Sequence, residues 1–71
     1  MIGPIGFWVW QDGDRWAYRS HTFPTGAGSM DRVLGWAYTR TAAISKARRQ
    51  IKELAPYRGT RLVDPPKDFR V

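Results

Sequence analysis

The chain contains no cysteine, a single histidine and a single glutamate among its 71 residues. Without cysteine it can form neither a disulfide framework nor a thiolate zinc site, so a hydrophobic core must hold the fold alone. No segment approaches the ~20 apolar residues that span a bilayer. The apolar N-terminal stretch is interrupted by Gly3, Pro4 and Gly6 and is not a signal peptide. We therefore expect a small soluble cytoplasmic protein with no membrane association.

Residues suited to catalysis are also sparse. His21 has no second metal ligand of suitable type near it, and no Ser/His/Asp or Cys/His set can be assembled. The six carboxylates are scattered over predicted turn, loop, helix and tail positions, as capping and solubilising residues are. The Gly26-Ala27-Gly28 segment lacks the lysine of a phosphate-binding loop. We predict no enzymatic activity, no metal site and no cofactor.

Positive charge is what the chain has in excess. The chain has twelve Lys and Arg residues and six Asp and Glu residues, which gives a net charge of +6. Nine of the twelve cations are arginine. Residues 1–39 and 62–71 are each neutral, whereas residues 40–61 hold seven cations and Glu53 alone as an acid. Arginine suits planar contacts to phosphates and bases. This balance indicates a nucleic acid or an acidic protein as the partner.

The first 23 residues predict a β-hairpin. Asp12-Gly13 is a dipeptide favoured in two-residue type I′ turns, and such a turn sets Gln11 opposite Asp14 and Trp10 opposite Arg15. Alternation of side chains then gives two faces. The predicted core face carries Ile5, Phe7, Val9, Trp16 and Tyr18, and the other face carries Trp8, Trp10, Arg15, Ala17 and Arg19.

The remaining residues predict a third strand and one helix. Residues 24–31 have the composition of a loop, and residues 32–38 alternate as a strand does. Thr39 or Thr41 can cap a helix that runs to about residue 54, where Pro56 stops it. Its apolar stripe comprises Ile44, Ala47, Ile51 and Leu54.

These elements predict an α+β fold. A three-stranded antiparallel sheet packs against one C-terminal helix (β-β-β-α) over residues 1–55. Residues 56–71 are expected to form an irregular tail that packs on the domain or trails from it.

The face carrying tryptophan and arginine allows three interpretations. The tail can fold back through Leu62, Val63 and Phe69 and cover the tryptophans, since so small a domain needs the burial. The face can be a protein-binding patch, because Trp and Arg are enriched at interface hot spots. It can also contact nucleic acid, with arginine reading bases from a sheet laid in the major groove.

Three segments resemble a known family. They are Trp16-Ala17-Tyr18-Arg19, Gly35-Trp36-Ala37-Tyr38-Thr39 and residues 43–54. In their order they are similar to the arm-type DNA-binding domain of phage tyrosine integrases, whose build of three strands and a helix is shared by the plant ethylene-response-factor domain. The resemblance covers about residues 5–55. It implies DNA binding by the sheet, with contacts at positions matching Trp8, Trp10, Arg15 and Arg19.

We therefore predict a small non-enzymatic DNA-binding or DNA-associated protein, encoded by a phage or mobile element, with duplex DNA as the favoured partner. The alternative is a protein-interaction module, an adaptor or inhibitor of an acidic host protein, with tryptophan anchors and a basic steering helix; a homodimer is also compatible. The predicted nucleic-acid contacts are Trp8, Trp10, Arg15, Arg19, Arg40, Lys46, Arg49, Lys52, Arg58 and Arg61. The sheet and the helix surfaces are expected on opposite sides of the domain.

Overall fold

The computed structural model describes residues 4–24, 30–54 and 59–69 and confirms the α+β class. The described residues form six strands and one helix. In chain order they are β1 (Ile5–Asp12), β2 (Arg15–Ser20), β3 (Phe23–Pro24), β4 (Met30–Asp31), β5 (Leu34–Ala37), α1 (Arg40–Leu54) and β6 (Thr60–Leu62).

The main sheet has four strands in the order β5-β2-β1-β6. The pairs β1–β2 and β2–β5 are antiparallel, as predicted, but β6 adds to β1 in parallel. The expectation of a three-stranded sheet with an irregular tail is therefore wrong at residues 60–62. Leu62 packs against the core, and hydrogen bonds flank the β1–β6 ladder: the Val63 amide donates to the Phe7 carbonyl at 2.8 Å, and the Ile5 amide donates to the Gly59 carbonyl at 3.2 Å.

The β1–β2 turn lies one residue later than predicted. Asp12 pairs with Arg15, so the two turn residues are Gly13 and Asp14. Gly13 has φ of 67°, and no other described residue has a positive φ. A type I′ turn needs positive φ at both central residues, whereas type II′ needs it only at the first, where glycine stands here. The pairing therefore shifts by two residues, and every side chain keeps its predicted face because strand alternation has a period of two.

The core lies between the inner face of the sheet and α1. Phe7 and Tyr18 from the sheet and Ile51 from the helix are almost fully buried. Val9, Trp16 and Ile44 are partly buried and pack against this cluster. The other buried members of the cluster are Ile5, Val33, Ala37, Ala43 and Ala47.

Helix α1 begins directly after Thr39, the first of the two predicted capping residues. The Thr39 hydroxyl accepts a hydrogen bond from the Ala42 amide at 3.1 Å, which satisfies one of the unpaired donors of the first turn. The helix extends to Leu54, as predicted. Pro56, its predicted stop, lies outside the described residues.

The segment predicted as a loop is paired at both ends. Phe23 pairs with Asp31 and Pro24 with Met30, forming the short β3–β4 ladder. Residues 25–29, which carry the two loop glycines, lie outside the described residues. Composition predicts a loop here because Pro and Gly cluster, but it carries no signal for a two-residue ladder.

Candidate nucleic-acid interface

The outer face is the side of the main sheet that points away from α1. Its residues fall in two rows across β1, β2 and β5, as the strand pairing shows. One row is Trp8–Arg19–Leu34 and the other is Trp10–Ala17–Trp36. The residues that β1 and β2 contribute to these rows are those predicted for this face. Strand β5 contributes Leu34 and Trp36 in addition. Trp10 therefore lies opposite Ala17, and the predicted pairing with Arg15 is wrong.

The tail covers part of the outer face. The Phe69 ring lies edge-on to Trp8 and Trp10, with ring centroids 5.3 Å and 4.7 Å apart. His21 contacts the same Trp8 ring at 5.0 Å. Trp8 is only 3% exposed, whereas Trp10 is half-buried. Of the three interpretations of this face, burial beneath the tail applies to Trp8, which the Phe69 ring covers.

An open groove remains on the outer face beside this cover. Its volume is about 440 Å³, within the range of small-molecule and cofactor sites. Trp10 and Phe69 line one part of it, Trp36 and Leu34 another, and Ala17 lies between Trp10 and Trp36 in the same row. Four charged residues line the groove: Arg15, Arg19, Arg32 and Asp12. Aromatic rings and an excess of arginine thus meet in one concave surface.

Trp36 is the most exposed of the described tryptophans, with 40% of its surface accessible. The Arg15 guanidinium carbon lies 4.4 Å from its ring centroid, a cation–π contact worth about 0.5–1 kcal/mol at such a site. Lys46 of α1 donates to the Trp36 carbonyl at 3.1 Å, and its Nζ lies 5.8 Å from the ring. Two cations therefore flank Trp36, a residue that was not among the predicted contacts. Strand alternation over residues 32–38 is the sequence signal that could have identified it.

Arg19 is the half-buried cation at the centre of the outer face. Neither its Nε nor the buried Trp8 Nε1 has a hydrogen-bond acceptor within the part of the chain that the structure describes. Leaving a buried donor unpaired costs about 1–3 kcal/mol. Both residues line a second pocket of about 220 Å³, together with Pro66, Asp68 and Phe69. Arg19 and Phe69 line the groove as well, so the two cavities share a wall.

The basic helix faces the opposite side of the molecule, as predicted. Arg40, Lys46, Arg49 and Lys52 are exposed, and Arg48 lies 5.8 Å from the Phe7 ring at the margin of the core. None of these cations forms an ion pair with a described acid, and Arg49 and Glu53, four residues apart on α1, are not paired. The ion pair seen in the described ranges joins exposed side chains, Arg15 Nε and Asp14 Oδ1 at 3.9 Å. Lys46 links the two surfaces at the β5 edge.

The last two predicted contacts lie at the other end of the chain. Arg61 on β6 is exposed and pairs in register with Gly6, which places it on the outer face at the β6 edge. Arg58 lies outside the described residues. The outer face thus brings together Trp10, Arg15, Arg19 and Arg61. Of the helix cations, Lys46 reaches its edge, whereas Arg40, Arg49 and Lys52 are exposed elsewhere on α1.

Ser20 positions β5 beside the hairpin. Its buried hydroxyl accepts from the Val33 amide at 2.8 Å and donates to the His21 carbonyl at 3.0 Å. The Ser20 amide in turn donates to the Val33 carbonyl at 2.9 Å. These bonds hold the backbone at the start of β5 against β2, and thereby position Trp36 on the outer face.

No cluster of three or more potential metal ligands occurs within residues 4–24, 30–54 and 59–69. The helix in these ranges is too short and too polar to cross a membrane. Comparison with protein-family models, curated proteins and solved structures finds no match to this chain. The resemblance to the integrase arm-type domain therefore stays a prediction.

Proposed function

We propose that this chain binds nucleic acid through the outer face, with the groove as the contact site. The observation that carries the proposal is the lining of that groove, where Trp10 and Trp36 stand beside arginines that outnumber the single carboxylate. Arginine side chains bind phosphates and stack on bases, and aromatic rings stack on bases of any sequence. The resemblance to the integrase arm-type domain supports DNA as the nucleic acid.

The basic helix has a different part in this proposal. Apart from Lys46, which contacts Trp36 at the β5 edge, its cations lie on the side of the molecule opposite the groove, so one nucleic-acid segment cannot contact both surfaces. Their charge still adds to the positive field of the molecule, which speeds the approach of an anionic partner. Loss of one helix cation should therefore affect binding less than loss of one groove arginine.

Fluorescence anisotropy with labelled 20-nucleotide DNA, single-stranded and duplex, tests the proposal. Contacts from Arg15, Arg19, Arg32 and Arg61 predict a log–log salt slope of about −3.6 for a duplex and about −2.8 for a single strand. The variant Arg19→Gln should weaken binding about tenfold and reduce the size of the slope by about 1. Arg49→Gln is the matched control, because it removes the same charge from the helix side.

Two outcomes would contradict the proposal. If neither DNA binds at 50 mM salt, where phosphate contacts are strongest, the chain is not a DNA-binding protein of this kind. If Arg49→Gln weakens binding and Arg19→Gln does not, the helix, and not the outer face, is the contact surface.

A protein partner is the second candidate, and one observation favours it. Leu34, Trp36 and Tyr38 are exposed by 56%, 40% and 71%, so an apolar strip follows the β5 edge of the sheet. Exposed apolar strips of this kind mark protein interaction sites, and an edge strand can pair with another chain. Sedimentation equilibrium tests a second copy as the occupant. A dimer that Leu34→Lys dissociates would support it, and a monomer at all concentrations would exclude it.

A further inference from the structure

The backbone spacing of the tryptophan row on the outer face leaves room for one flat ring. Trp10 and Trp36 lie on β1 and β5 with Ala17 of β2 between them, two strand spacings apart. Two spacings amount to about 9.6 Å between the backbones. One planar ring in contact on both sides needs about 7–8 Å between its neighbours. Because the intervening residue is alanine, no large side chain of that row fills the space.

The neighbouring row provides donors for an anion. Arg19 stands next to Ala17 on the same face of β2 and lines both the groove and the smaller pocket. Its Nε and the Trp8 Nε1 are buried donors with no acceptor among the described residues. Buried donors are rarely left unpaired, and phosphate oxygens are acceptors that arginine binds strongly. The smaller pocket, with a volume of about 220 Å³, gives such a group a place beside Arg19.

We infer that the groove takes one unpaired base of a single-stranded nucleic acid between Trp10 and Trp36, with the adjoining phosphate on Arg19 and the Trp8 indole N–H. This inference rests on the proposed function and refines it. A paired base stays stacked inside its duplex and cannot enter the slot unless it is flipped out. The Arg15 guanidinium lies over the Trp36 ring, 4.4 Å from its centroid, so the base is expected to stack on the other face of this ring.

Binding to matched oligonucleotides tests the base slot. The probes are a labelled 12-nucleotide poly-dT strand, the same strand with four consecutive abasic sites, and a duplex of equal length. We expect the poly-dT strand to bind about tenfold more tightly than the abasic strand, because both carry the same phosphates and differ in the stacked bases. Trp36→Leu should abolish this difference. Arg49→Gln is the control, since Arg49 is exposed on α1 and does not line the groove, so its loss should weaken both strands equally and leave their difference unchanged.

The smaller pocket gives an independent test of the phosphate position. Asp68 lines it and repels an anion there, so Asp68→Asn should tighten binding of poly-dT, by up to about fivefold. Weaker binding by this variant would overturn the assignment of the phosphate.

The failures of the two proposals can be told apart. If the duplex and the abasic strand bind as tightly as poly-dT, the single-strand inference is wrong while the proposed function stands. If none of the three probes binds at 50 mM salt, the proposed function itself is wrong.

Discussion

Tyr18 connects the main sheet to α1. It is 1% exposed, lies opposite Gly35 on β5, and its hydroxyl accepts a hydrogen bond from Gln50 Nε2 of α1 at 2.7 Å. A Cβ atom on Gly35 would overlap the Tyr18 hydroxyl and ring. Glycine is therefore required at this position so that the phenol can cross β5 and reach the helix.

The variant Gly35→Ala should lower the free energy of unfolding by about 1–3 kcal/mol, because the added Cβ would force the buried Tyr18 ring to shift away from its packed position. Gly59→Ala is the control, since a Cβ at Gly59 would meet no atom within 4 Å. Urea unfolding of both variants measures the difference. Equal stability of the two variants would show that the Tyr18 ring adjusts freely.

The same residue predicts a pH dependence of stability. Burial raises the pKa of Tyr18 above its usual value of 10.0, while the Gln50 hydrogen bond and the Arg49 charge oppose this rise. A raised folded-state pKa means that the neutral phenol is favoured in the fold. Its contribution is therefore complete below pH 10 and is lost as the pH rises through the folded-state pKa.

We expect the unfolding free energy to fall as the pH rises above 10, and to fall less steeply in Tyr18→Phe. The slopes, and not the absolute stabilities, are the quantities to compare, because the variant also loses the Gln50 hydrogen bond. Parallel slopes for the two proteins would exclude Tyr18 as the group responsible.

Local signals at the residue scale predicted some details and missed others. The Thr39 cap and the division of the hairpin into two faces followed from capping chemistry and strand alternation. The turn was misplaced because Asp12-Gly13 and Gly13-Asp14 overlap, and each pair suits a different hairpin turn. Only the backbone conformation, with positive φ at Gly13 alone among the described residues, distinguishes them.

At the scale of elements, β6 and the segment after it complete the sheet and cover Trp8. Sequence could not predict β6, since three residues carry no measurable alternation and their parallel pairing with β1 joins distant parts of the chain. The register of β5 against β2 was equally hidden, because residues 24–31 between the strands set no fixed turn. Strand alternation could group Trp36 with Leu34 on one face, but only the register shows that Trp36 shares a row with Trp10 and Ala17.

The cover on the tryptophans predicts a fluorescence change. Phe69→Ala should shift tryptophan emission to longer wavelength and increase quenching by iodide, because Trp8 and Trp10 lose their ring contacts with the tail. The neighbouring exposed residue gives the control variant Lys67→Ala, which should leave emission unchanged. Circular dichroism verifies that both variants stay folded. Unchanged emission in a folded Phe69→Ala protein would mean that other residues cover the indoles.

At the scale of the whole molecule, the cations of the described residues lie on two surfaces. The helix cations Arg40, Arg49 and Lys52 are exposed on one side, and the groove arginines stand among aromatic rings on the other. The sequence placed the charge excess on residues 40–61, and α1 carries five of the seven cations of that segment. It could not show that the more specific chemistry lies on the sheet, since the groove forms only when the tail and β5 join the hairpin.

The most direct test of the outer face as the nucleic-acid contact is an NMR titration of the ¹⁵N-labelled protein with poly-dT. Indole N–H signals report on each tryptophan separately, and the Arg19 Nε–H signal reports on the central cation. We predict large shifts for the Trp10 and Trp36 indoles and for Arg19 Nε–H, with the backbone amides of Arg49 and Lys52 unchanged. Shifts confined to the α1 amides, with the indole signals unmoved, would contradict binding at the outer face.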